Sequence, residues 1–117
     1  MPTLSMNSED LESNIVKVSL AGRLDIPGVQ EIELRFTVQT SARRRPVIVD
    51  LSEVTLITSM GLGMLISNAR TLQIHGLPFV LVNPRPHVEK VVRMSGLHEI
   101  LLIEKDVASA LNRIKNS

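Results

Sequence analysis

Hydrophobic positions change period along the chain, and the changes divide it into alternating strands and helices. Thr3-Leu4-Ser5-Met6 alternates polar and apolar residues and Pro2 suits only an edge, so Pro2 to Met6 predicts a short edge strand. Asn7 to Asn14 is polar and reads as a turn. Ile15-Val16-Lys17-Val18-Ser19-Leu20 is rich in β-branched residues and ends at Ala21-Gly22, which predicts a second strand and a hairpin with the first. From Leu24 to Arg43 two periods compete: Ile32, Leu34, Phe36 and Val38 alternate as in a strand, whereas Val29, Ile32 and Phe36 share one helix face. Helix is the better reading, because Asp25 is a good cap, Pro27 lies near the start, and two parallel strands need a crossover of this length. Leu34 and Val38 then project from a second face, available to another helix or a partner.

After Pro46, Val47-Ile48-Val49-Asp50-Leu51 is a β-branched run too short for a stable helix, so it predicts a strand buried on both faces, followed by a short loop. Beyond Gly61 the spacing becomes helical: Leu62, Leu65, Ile66, Ala69 and Leu72 line one face, with Gly63, Met64, Ser67, Asn68 and Arg70 on the others. Ser59 falls at or just before the start of that helix, where a side-chain oxygen accepts from unpaired backbone N–H groups. His75-Gly76 ends the helix, Pro78 to Val82 predicts a buried strand, and Asn83-Pro84-Arg85-Pro86 breaks it. Val88, Val91, Val92 and Ser95 share one side of a short helix that Gly96 closes in a left-handed conformation. Leu101-Leu102-Ile103 predicts a last strand, and Asp106 caps a final helix facing Val107, Ala110, Leu111 and Ile114 inward. The expected fold is α/β, with a mixed, mostly parallel sheet of four to five strands and about four helices packed against it.

Composition narrows the function more than it shapes the fold. The 117 residues suit one domain spanning 1–117, and 44% hydrophobic residues support a folded core. A net charge of +1 gives no bulk attraction to nucleic acid, only two Phe and no Tyr or Trp are present for base stacking, and Arg43-Arg44-Arg45 reads as a solvated loop. Zero cysteines exclude disulfides, thiolate metal sites and a cysteine nucleophile. Met1 to Asp10 lacks the features of a signal peptide and no apolar run approaches a membrane span, so a cytoplasmic protein without membrane insertion is expected.

Catalytic chemistry is not expected, and neither is a cofactor. His75, His87 and His98 are far apart, without the carboxylate spacing of a metal cage, and read as surface residues. Gly61-Leu62-Gly63 lacks both the third glycine of a dinucleotide fingerprint and the Lys-Ser/Thr ending of a nucleotide-binding loop. Ser59 is not set in a hydrolase elbow. Two readings of this serine remain: a simple helix cap, or a hydroxyl that can carry a phosphate, which the partial positive charge of a helix N-terminus tolerates.

Asp50-Leu51-Ser52 followed by Val54, Ile57, Ser59, Gly61-Leu62-Gly63 and Leu65 resembles the signature of the STAS domain, named for sulphate transporters and anti-sigma factor antagonists. Gly22-Arg23-Leu24-Asp25, Asn83-Pro84 and Met94-Ser95-Gly96-Leu97 resemble further motifs of that family, so the likeness spans nearly the whole chain. The stand-alone length is most similar to the small bacterial anti-anti-sigma factors. The resemblance implies a transcription regulator without enzymatic activity. Its partner would be an anti-sigma factor that is also a serine kinase with a histidine-kinase-like ATPase fold, and a serine phosphatase would reset it. Ser59 would be the phosphoacceptor, and Asp25, Thr58, Ser59, Met60, Gly61, Gly63 and Met64 would form the docking surface. Thr58-Ser59-Met60-Gly61 departs from the family's usual Asp-Ser-Ser/Thr-Gly on both sides of the phosphoacceptor. Two other readings follow: a STAS regulatory or structural subunit of a larger assembly such as a lipid transport system, without phosphorylation, and a receiver-like domain phosphorylated on Asp50.

Overall fold

The computed structural model describes residues 3–97 and 99–116; Pro2, expected to open the first strand, and His98 lie outside the described residues. In chain order the elements are β1 (Leu4–Asp10), β2 (Val16–Leu24), α1 (Ile26–Gln39), β3 (Val47–Ile57), α2 (Ser59–Ile74), β4 (Phe79–Val82), α3 (Pro86–Met94), β5 (Leu102–Glu104) and α4 (Val107–Lys115). Single 3-10 turns at Glu12–Asn14 and Ser41–Arg43 complete the set. The five strands lie in the sheet in the order in which they occur in the chain. β1 is antiparallel to β2, and the remaining pairs are parallel. This is the α/β domain with a mixed, mostly parallel sheet that the periodicity predicted.

Strand alternation sorts the core into two layers. Val16, Val18, Val47, Val49, Leu51, Phe79 and Leu81 face the side covered by Val29, Ile32 and Phe36 of α1, Leu65, Ala69 and Leu72 of α2, and Val88 and Val92 of α3. Ile15, Ile48, Val80 and Val82 face the other side, where Ala110, Val107, Leu111 and Ile114 of α4 cover them, as the final helix's spacing predicted. Phe36 and Phe79, both fully buried, meet edge to face with centroids 6.4 Å apart. Leu34 and Val38 are exposed on the second face of α1, and no described helix is long and apolar enough to cross a membrane.

Several boundaries differ from expectation. β1 runs to Asp10, through residues read as a turn, because its backbone pairs with β2 in unbroken register from Leu4–Gly22 to Asp10–Val16. β2 likewise passes Ala21-Gly22 and ends at Leu24, since β1 and β3 flank it on both edges. β3 does not stop at Leu51 but continues to Ile57. Two register shifts against β2 each leave an extra residue on β3, so its buried positions there, Leu51, Val54 and Ile57, fall three apart and look like a loop. Arg45 is not solvated: it is buried, and its guanidinium donates to Asp10 at 2.8 Å, joining the end of β1 to the segment before β3.

Candidate functional site

The parallel strands β2 and β3 both end where a helix begins, so the N-termini of α1 and α2 emerge side by side. Asp25 caps α1, its Oδ1 accepting from the Gly28 N–H at 2.9 Å, as its position before Ile26-Pro27 predicted. Its Oδ2 accepts from Arg23 Nε at 3.0 Å. The two helix starts are tied together through one carbonyl: Leu24 O accepts both the Thr58 N–H at 3.0 Å and the Thr58 hydroxyl at 2.9 Å. Gly61 makes this approach possible, because a Cβ there would lie 2.5 Å from that same oxygen.

The cap of α2 is therefore Thr58 rather than Ser59, and its hydroxyl is turned back to Leu24 instead of toward the helix. Ser59 is the first helical residue. It is exposed, and among the described interactions its hydroxyl has no hydrogen-bond partner. The first intrahelical bond runs from the Leu62 N–H to Thr58 O at 2.9 Å, which leaves the N–H groups of Ser59, Met60 and Gly61 without intrahelical acceptors.

Ser59 and Met60 form a ridge between two hollows. One, about 520 Å³, is lined by Asp25, Ile26 and Pro27 of the α1 start and by Thr58, Ser59 and Met60. The other, about 370 Å³, lies between the helices and is lined by Glu33, Thr37, Ser59, Met60, Gly63, Met64, Ser67 and Asn68. The seven residues that the resemblance implied as a surface lie at the two adjacent helix starts, Asp25 at that of α1 and the other six at that of α2. Asp25, Thr58, Ser59, Met60 and Gly63 reach solvent, whereas Gly61 and Met64 are buried beneath them. Sequence reasoning passed over Ile26, 54% exposed beside Met60 at 42%; the available signal was an apolar residue immediately after a helix cap.

Asp50, the alternative phosphoacceptor, sits within β3 opposite Ser19 and Val82, not at a strand end. Its Oδ1 accepts from the Ser52 N–H at 2.9 Å, and its Oδ2 lies 3.9 Å from Lys17 Nζ.

The family model of the STAS domain matches residues 10–110, nearly the whole of the sheet and helices just described. The chain belongs to the STAS domain family. BtrV of Bordetella bronchiseptica, provisionally named an anti-sigma factor antagonist, is 27% identical to this STAS domain over 99 residues, 84% of each chain. An anti-sigma factor antagonist from Mycobacterium paratuberculosis superposes with a TM-score of 0.84 at 20% identity, over 96% of this chain and 94% of the other. The unphosphorylated anti-sigma factor antagonist SpoIIAA gives 0.77 at 23% identity, over 97% and 98%. The phosphorylated form of that Bacillus protein gives 0.71 at 22%, over 94% and 99%. These likenesses place the fold of this STAS domain; its chemistry has to come from its own ridge and hollows.

Proposed function

We propose that the protein is a cytoplasmic anti-sigma factor antagonist that works by partner switching. The exposed Ser59 hydroxyl, standing between two hollows at the start of α2, carries the reading. In the unmodified state the surface of Asp25, Thr58, Ser59, Met60 and Gly63, supported from below by Gly61 and Met64, docks on an anti-sigma factor with a histidine-kinase-like ATPase fold. Exposed Ile26 and Met60 supply the apolar contact. Phosphorylation of Ser59 adds about 1.5 to 2 negative charges and the bulk of a phosphate at that contact, where taking the dianion out of water costs several kcal/mol. The scaffold tolerates the phosphate, because the free N–H groups and partial positive charge of the α2 start face it. ATP and magnesium belong to the partner; this chain is the substrate, and a serine phosphatase returns it to the binding form.

Incubation with the cognate anti-sigma kinase and ATP should add one phosphate by mass spectrometry, and Ser59→Ala should abolish it. A phosphate on Asp50 would favour the receiver reading instead. No phosphate, together with copurification with transporter subunits, would make the chain a subunit of a larger assembly. Ser59→Asp should weaken anti-sigma factor binding at least about thirtyfold while leaving the melting temperature unchanged or slightly raised. Equal loss of binding and stability would return Ser59 to a purely structural part.

A further inference from the structure

Of the glycines in the chain, Gly63 alone lacks a reason inside the fold. Gly22, Gly28 and Gly61 lie against backbone atoms that a Cβ would strike, and Gly76 and Gly96 have left-handed backbones. Gly63 has neither constraint: it is exposed within α2, and a Cβ built on it meets nothing within 4 Å. A glycine there weakens the helix relative to alanine and gives the folded chain nothing in return. Its missing side chain leaves open space on the helix surface that another body can enter.

The hollow around Gly63 indicates what that body carries. It runs between α1 and α2, and the one charged residue lining it is Glu33. That carboxylate is exposed and has no ion pair or hydrogen bond among the described interactions, unlike Asp25 nearby, which is engaged by Arg23 and Gly28. No basic residue of this chain lines the hollow, so its charge is complementary to a cation.

We propose that Gly63 marks the closest approach of the anti-sigma factor, whose main chain passes over α2 in the hollow and places a Lys or Arg opposite Glu33. The proposal rests on the partner assigned under the proposed function and adds where that partner seats and which charge it presents. Removing one Cβ lets a polypeptide backbone come nearer to the helix by about the width of a methyl group, a shape that a side chain of any size would fill.

The test uses the full chain and its purified cognate anti-sigma factor, with Kd from titration calorimetry and Tm from thermal melts of the same preparations. Gly63→Ala should raise Tm by about 2–5 °C and weaken binding at least about tenfold, opposite signs that a structural glycine cannot produce. Glu33→Lys should also weaken binding, with a flatter dependence of Kd on salt and an unchanged Tm. Unaltered affinity in Gly63→Ala, or a fall in Tm alongside the fall in affinity, overturns the proposal. If Ser59→Asp still abolishes binding in that case, the switch stands and only the seat of the partner is wrong. If the unmodified chain does not bind, or Ser59→Asp binds equally well, the switch itself fails and the placement fails with it.

Discussion

Two glycines two positions apart in one helix meet opposite surroundings. Gly61 faces inward, where a Cβ would stand 2.5 Å from Leu24 O and 2.7 Å from Leu24 Cβ, and Leu24 O already holds Thr58 by two hydrogen bonds. Gly61→Ala should therefore destabilise the domain by about 1–3 kcal/mol, read from the midpoint of urea unfolding at constant slope. The family resemblance marked both glycines, but residue type alone could not separate a glycine needed by the fold from one left open to solvent. Ser59 was similarly half legible. Its place at a helix start was evident, yet the capping position belongs to Thr58, because a backbone pairing with Leu24 fixes where β3 lets go of the chain. Such a pairing joins residues 34 apart and leaves no local trace.

Among the elements, those with a clean period were read closely. The face of Val29, Ile32 and Phe36 in α1 and the caps at Asp25 and Asp106 are as expected. β3 runs six residues past its expected end at Leu51, because its bulges replace a two-residue period by a three-residue one. α2 buries Leu65, Ala69 and Leu72 as its spacing predicts, but its buried face is turned toward Met64 and Asn68. Met64 and Asn68 are buried while Leu62 and Ile66 only lean on the core, since α2 packs sideways on the end of α1 as well as on the sheet. A polar cluster makes that side contact: Ser41 Oγ donates to Asn68 Oδ1 at 2.6 Å, Thr40 Oγ1 donates to Phe36 O at 2.7 Å, and Asn68 Nδ2 donates to Met64 O at 2.9 Å. Asn68→Ala should cost about 2–3 kcal/mol in chemical unfolding, because the buried Ser41 hydroxyl loses its acceptor. At α4, hydrogen bonds from Ser109, backbone first and then side chain, hold the Asp106 carboxyl below its usual range. A lowered folded-state pKa stabilises the domain above the unfolded-state value, and that contribution disappears as pH falls through the folded value. Asp106→Asn should thus flatten the acid limb of the stability–pH curve below about pH 4 and leave the neutral region's slope alone.

For the whole molecule, the proposed switch requires that binding change without the scaffold changing. The shared carbonyl of Leu24 and the polar bridge at Asn68 hold α1 and α2 as one body at both ends of their contact, so a charge at Ser59 has little to rearrange. Phosphorylated protein and Ser59→Asp should keep the radius of gyration that the unmodified protein shows in solution scattering, with amide shifts confined to the α1 and α2 starts. Widespread shifts would indicate a conformational switch instead. The sheet carries a different consequence. Since strand order follows chain order from β1 to β5, a polypeptide leaving the ribosome can extend the sheet at one growing margin, beginning with the local β1–β2 hairpin. No later segment has to wedge itself between two neighbours already zipped together.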